Sequence, residues 1–425
     1  MASNTCILHS NRRLIKRKAQ TVCCLAAALL ILTAVSSKAQ SMRVAKHDTL
    51  TGKSLPRQYR QKDFPDLIIE LFRLRTKHSQ DSVPKPGKLL WAVFPVAGYA
   101  LQSGGVAILA SNISWYSAEG ANLSNITFNP EYSFMKQTIL PFTSSIWTAG
   151  NEFNFLGDWR FYKYPSYTYG LGSHTLLNKV DTIDYSFFKF DQEALMKVAH
   201  NLYGGFGYNL DYHWNIEDYS EMTDFISYNN NQEKTVSSGL IAHLKYDNRE
   251  NINNPVSAFY GSIIYRWNST LLGSDDNWQY IQVEMRKYIK LNGRGTTKLA
   301  FWSWNEFTFG GKPPYLDLPS TGWDTYSNTG RGYIQGRFRG NNMLYLETEL
   351  RFNILKNGLL GGVVFSNAET TPQSMNTFGN SIISPGEGVG IRLKLNKYSG
   401  SNLCIDYAFG TQGSRGFFFN IGEVF

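Results

Sequence analysis

Cysteine is scarce: four in 425 residues, and three of them, Cys6, Cys23 and Cys24, fall near the start. Cys404 then stands alone, which excludes an internal disulfide framework. No C-x-x-C pair offers a metal or redox site. No H-E-x-x-H and no Gly-x-Ser-x-Gly is present, and His47, His78, His174, His200, His213 and His243 show no metal spacing. That pattern argues against an enzyme and leaves no cofactor or metal to expect. From Leu89 to Phe425 no run of 18 apolar residues occurs, so transmembrane helices are excluded there.

Basic excess is also largely missing once the first 40 residues are set aside. The chain carries 42 Lys and Arg against 33 Asp and Glu, a net charge of +9, but Arg12, Arg13, Lys16, Arg17, Lys18 and Lys38 all precede residue 41. What remains is +3, no basis for nucleic-acid binding. The basic start, an apolar stretch from about Val22 to Val35 and the small-x-small Ser37-Lys38-Ala39 together predict a cleaved export signal over 1–39. Residues 40–88 read as a periplasmic linker with Pro56, Pro65, Pro84 and Pro86. One short amphipathic helix is expected at Asp66 to Arg75, packing at a barrel mouth.

What is abundant is alternation. Aromatics make up 15% of the chain, and residues 89–425 break into short segments of alternating polarity split by Gly, Asn, Asp and Ser clusters. The sequence predicts an all-β fold, a 16-stranded antiparallel transmembrane β-barrel, with strands running from 90–100 through 122–133, 151–163 and 184–199 to 415–425. A secreted β-sandwich array would need inter-domain linkers, and none follows residue 88.

The most informative stretch is Gly330 to Ile354. Its first part is a glycine-rich loop carrying Arg331, Arg337 and Arg339; its second part alternates, with Leu344, Leu346, Leu350, Phe352 and Ile354 on one face and Tyr345, Glu347, Glu349, Arg351 and Asn353 on the other. An apolar face toward lipid and a charged face toward a polar lumen fit a membrane barrel. The same parity turns Asp406 and Arg392 inward. The glycines of 330–340 are not followed by a helix and so form no phosphate cradle. At the end, Phe417, Phe419, Ile421 and Phe425 fall on one face and read as a closing strand with a lipid-facing aromatic row, interrupted by Glu423 near the membrane boundary.

On these residues the chain resembles the BamA/TamA superfamily, the bacterial surface antigen proteins. Arg331-Gly332-Tyr333 is similar to that family's R-G-F/Y loop motif, and the strand count puts it in the sixth outer loop. Asp247-Asn248-Arg249-Glu250-Asn251 followed by Pro255 is similar to its D-x-R turn, Gly388-Val389-Gly390-Ile391-Arg392 with Asp406-Tyr407-Ala408 to its G-x-G-x-R and D-Y-A strands, and Phe417–Phe425 to its closing strand. The resemblance implies a sixth loop folded into the lumen, with Arg331 on Asp406. It implies at most a neutral hydrogen bond from Asn367, which replaces a carboxylate; Arg392 and Glu349 complete the inner wall. Glu369 stands where the family has glycine, and Val256-Ser257-Ala258 lacks the glycine expected after Pro255. Asp247 and Arg249 are expected to pair at the periplasmic rim or to form a plain Asx turn. No POTRA repeat fits in 41–88, which sets the chain apart from the assembly members. The expected setting is the outer membrane of a Gram-negative bacterium. Lipid, the barrel assembly machinery for its own insertion and a separate periplasmic protein are the expected partners. Protein or lipid assembly or translocation is the expected role, with a passive or self-plugged pore as the alternative. Gly416 and Gly422 fit a weakly closed first-to-last seam.

Overall fold

The computed structural model describes residues 61–71, 86–219, 223–230, 232–397 and 399–425. The export signal expected over 1–39, and most of the linker expected over 40–88, lie outside them. Eighteen strand segments form one antiparallel sheet: β1 (Leu90–Ala100), β2 (Gly104–Tyr116), β3 (Leu123–Phe128), β4 (Glu131–Ser133), β5 (Thr138–Trp147), β6 (Phe153–Lys163), β7 (Ser166–Thr168), β8 (Asp181–Ala199), β9 (Leu202–Asp218), β10 (Lys234–Asp247), β11 (Ala258–Asn268), β12 (Trp278–Lys290), β13 (Thr297–Phe309), β14 (Asn342–Asn353), β15 (Leu360–Thr370), β16 (Ser384–Lys394), β17 (Asn402–Phe409) and β18 (Arg415–Ile421). The sequence predicts sixteen. The difference lies at two prolines, which have no N–H to give a ladder. β3 and β4 both run between β2 and β5, interrupted at Asn129-Pro130. β6 and β7 both lie along β8, interrupted at Tyr164-Pro165.

Apart from the pairings around these two interruptions, every ladder joins strands that are consecutive in the chain. One end of the barrel carries compact turns at 117–122, 148–152, 200–201, 248–257, 291–296, 354–359 and 395–401. The other carries the longest connection, 310–341, together with 169–180, 219–233 and 371–383. Polarity is inside-out relative to a soluble protein. Leu240, Leu244, Ile263, Met285, Val364, Val389 and Ile391 are exposed on the outer face, while Glu193, Asp211, Glu284, Glu347, Glu349, Arg392 and Asp406 are buried. Period-two strands with one apolar and one charged face give this arrangement when the apolar face meets lipid.

β18 and β1 lie side by side. Every other neighbouring pair is joined by a backbone ladder, but among the described residues none joins these two. Side chains fill the junction instead. The Phe419 ring sits 3.5 Å from where a Cβ on Gly98 would be, and the Leu101 side chain lies 2.6 Å from the Cβ position of Gly416. Gly416 thus serves the seam by leaving space for Leu101.

Helix α1 (Phe64–Leu71) starts on a reciprocal cap: Asp66 N donates to Asp63 Oδ1 at 3.1 Å, and Asp63 N to Asp66 Oδ2 at 3.2 Å. It begins two residues before the expected Asp66. It rests at the compact-turn end, with Lys62 N on Asn357 O (3.0 Å) and Lys397 Nζ on Asp66 Oδ2 (2.9 Å).

Candidate functional site: a loop seated in the lumen

The connection 310–341 folds inward and touches both sides of the barrel wall. On one side Tyr315 and Leu318 join a buried cluster with Tyr162, Tyr164, Ile183, Tyr185 and Phe187 of β6, β8 and the segment between β6 and β7, against which Trp323 packs. Asp317 accepts a hydrogen bond from Ser237 Oγ of β10 at 2.5 Å. On the other side Arg331 reaches β14 and β17. The connection is therefore anchored on both sides of the lumen.

The three loop arginines are all buried and have separate tasks. Arg339 folds the loop on itself, donating from Nη1 to Tyr315 O (3.0 Å) and Leu316 O (3.2 Å). Arg337 ties it to a neighbouring connection through Thr175 Oγ1 (2.6 Å) and Thr175 O (2.8 Å). Arg331 alone meets wall carboxylates. Its Nη1 donates to Asp406 Oδ2 at 2.5 Å, and its Nη2 donates to both Glu347 and Glu349. The guanidinium plane lies over the Phe365 ring, 3.6 Å from its centroid. Arg331 does not fork onto one carboxylate; it divides its donors among three. The two-point contact to Asp406 belongs to Arg392, at 2.5 Å and 3.3 Å. Asn367 bonds the Arg331 backbone, Nδ2 to O at 2.9 Å, not its guanidinium. Glu369 accepts from Thr321 Oγ1 of the loop at 2.9 Å.

Two further charges complete the cluster. Arg351 donates to Glu349 Oε2 at 2.5 Å, and Arg392 donates to Glu423 Oε2 at 3.0 Å. Three guanidiniums, of Arg331, Arg351 and Arg392, thus alternate with four carboxylates, of Glu347, Glu349, Asp406 and Glu423. In a low-dielectric interior such charges persist only when each is paired and hydrogen-bonded. Arg351 faces inward by the same parity as Glu347 and Glu349; Glu423 does not follow its strand's parity.

Three glycines of β16 make the seat. Gly386, Gly388 and Gly390 share one inward face, and a side chain on any of them would collide. A Cβ on Gly386 would lie 2.6 Å from Arg331 O, one on Gly388 2.5 Å from the Phe365 ring, and one on Gly390 1.7 Å from Asp406 Oδ1. The glycine motif is a trough for the loop backbone and its carboxylate. Tyr333 closes the far side: its hydroxyl donates to Pro385 O and accepts from Thr411 N at 3.0 Å. Gly332, at φ +109°, brings the loop so near β17 that a Cβ would lie 2.7 Å from Phe409 O.

Phe425 does not continue the outward aromatic row of Phe417, Phe419 and Ile421, which are exposed. β18 ends at Ile421, and Gly422 takes φ +98°, which reverses the alternation. Glu423, expected near the membrane boundary, points into the charged cluster, and Phe425 is buried against Trp302, with ring centroids 5.3 Å apart. At the compact-turn end Asp247 and Arg249 form both proposed contacts. Arg249 N donates to Asp247 Oδ1 (3.1 Å), and its guanidinium forks onto the same carboxylate at 2.9 and 2.8 Å.

A hydroxyl–imidazole–carboxylate series also lies on the wall. His243 Nε2 is 2.8 Å from Ser262 Oγ, and His243 Nδ1 contacts Glu193, reached across β9 where Gly205 and Gly207 carry no side chain. The order is that of a serine-hydrolase relay, yet all three are buried, Ser262 at 3% exposure. Burial makes this a hydrogen-bond chain of the wall. A fluorophosphonate is therefore expected to leave Ser262 unmodified in the folded barrel, as read by intact-protein mass; labelling that disappears in Ser262→Ala would contradict this.

No protein-family model matches the chain, and no curated protein matches it. Solved structures do. BamA from Haemophilus ducreyi lacking POTRA domains 1–3 is similar at TM-score 0.51 and 15% identity, over 80% of this chain and 70% of that one. CdiB from Acinetobacter baumannii gives 0.52 and 11%, over 78% of this chain and 59% of that one. CdiB from Escherichia coli gives 0.52 and 10%, over 82% and 68%. The architecture is therefore a transmembrane β-barrel. More narrowly, it is a barrel of the BamA and CdiB fold.

Proposed function

We propose that this chain is an outer-membrane barrel of a Gram-negative bacterium that assembles or translocates protein or lipid by opening at the junction of β1 and β18, with loop 310–341 as its lumen plug. The observation that carries the reading is the junction itself: two adjacent strands held by Phe419, Leu101 and the glycines opposite them, without a backbone ladder. A strand edge left unpaired is a template for another chain, which a passive pore has no use for. Export by a cleaved leader, insertion by the barrel assembly machinery and a periplasmic partner at α1 and the compact turns belong to the same reading. A self-plugged pore is the second reading, favoured by how completely the loop bridges the lumen.

Bridging the junction separates the two. In Gly98→Cys/Phe419→Cys, a short reducible bis-maleimide is expected to abolish the chain's contribution to outer-membrane assembly in the host cell, with recovery on reduction. Full activity with the junction bridged would remove lateral opening and leave the pore.

A further inference from the structure

The seated loop and the last strand are tied together by three residues that follow β18. Glu423 accepts from Arg392 Nε at 3.0 Å and from Asn402 Nδ2 at 2.6 Å, and lies 3.7 Å from Arg351 Nε. Val424 O accepts from Asn328 Nδ2 of the loop at 2.7 Å. The Phe425 ring stacks on Trp302 and lies 4.8 Å from the Arg351 guanidinium, which also donates to Phe425 O at 3.0 Å. Tyr288, Tyr345, Ala258, Ala300 and Met343 complete the buried pocket around it. The contacts to Arg392 and Arg351 therefore reach the Arg331 cluster, and the contact to Asn328 reaches the loop itself.

We propose that Glu423-Val424-Phe425 is a latch that makes plug release and opening of the β1–β18 junction one event. The tie runs both ways. When Arg331 leaves Asp406 and Glu349, Arg392 and Arg351 lose the carboxylate geometry that positions them for Glu423. When Phe425 leaves its pocket, Asn328 loses the Val424 carbonyl and β18 is freed beyond Gly422. β18 spans only Arg415–Ile421 and has a ladder on one side alone, so it is the strand that the latch can release. A ligand or client that binds better to either released element would shift both.

This inference rests on the plug reading above, and the test tells the two apart. Single-channel openings are recorded in planar bilayers for wild type, Arg331→Ala, Phe425→Ala and the double variant. Heat-modifiable gel mobility checks that each is folded. The single variants are each expected to raise opening frequency about ten-fold or more, and the double no further than the stronger single, because one coupled element has been released. Multiplying effects in the double variant would overturn the latch, and so would Phe425→Ala behaving as wild type while Arg331→Ala opens. If Arg331→Ala changes nothing, plug and latch fall together. As a readout independent of conductance, a bulky maleimide should label Val424→Cys at least about ten-fold more slowly than Gly293→Cys, at an exposed turn position with open space around it, and faster when Arg331→Ala is added. Equal labelling at 424 and 293 would show that no latch is seated.

Discussion

Arg331→Ala is expected to unseat the lumen loop while leaving the barrel wall folded. The guanidinium serves Asp406, Glu347 and Glu349 at once, and its loss leaves those carboxylates with only Arg351 and Arg392 as cations within the cluster. Breaking a buried pair by removing one partner costs about 3–5 kcal/mol, because the survivors remain desolvated. That corresponds to roughly a hundred-fold to several-thousand-fold shift from seated to unseated loop. Arg331→Lys is expected to recover little. A single ammonium on a flexible stem cannot place donors on three carboxylates and stack on Phe365. Limited proteolysis within 310–341 reads the effect: cleavage should be slow in wild type and rapid in both variants, with the wall strands protected.

Gly390→Ala is expected to approach the effect of Arg331→Ala although it removes no charge. Its Cβ would stand 1.7 Å from Asp406 Oδ1 and 2.9 Å from Ile405 O. Asp406 faces Gly390 across the β16–β17 ladder, so its carboxylate can avoid the methyl group only by turning away from Arg331 and Arg392. The methyl group therefore breaks two charged contacts. Gly293→Ala, at a turn position with open space around it, serves as the control and should be silent. The same proteolysis assay, with the midpoint of heat-modifiable mobility, distinguishes the two; an unchanged Gly390→Ala would show that Asp406 does not hold the loop.

The charged face of β14 is legible in the sequence because period-two alternation is unbroken from Tyr345 to Arg351, and the structure buries all four alternate residues, Tyr345, Glu347, Glu349 and Arg351. Alternation gives a direction for each side chain but no partner. That is why the expectation for Arg331 named Asp406, while the share taken by Glu347 and the links from Arg351 and Arg392 to Glu423 emerge only when the strands are placed around the loop. The same rule fails at Phe425 for a local reason: Gly422 in the left-handed region rotates everything after it, and a parity count has no term for one such residue. The wall opposite Arg331 was not legible at all. Tyr315 and Leu318 meet Tyr185 and Phe187 across more than a hundred residues of chain, and nothing in the local pattern of either stretch announces the other. The β16 glycines are visible as a motif, but their purpose as a trough depends on the Cβ positions they leave empty.

The central claim, that loop 310–341 plugs the lumen and Arg331 holds it there, is tested most directly by single-channel conductance of the refolded barrel, wild type beside Arg331→Ala. Small, flickering conductance that grows markedly in the variant is the predicted result. Large, steady conductance in wild type, unchanged by the substitution, would contradict it.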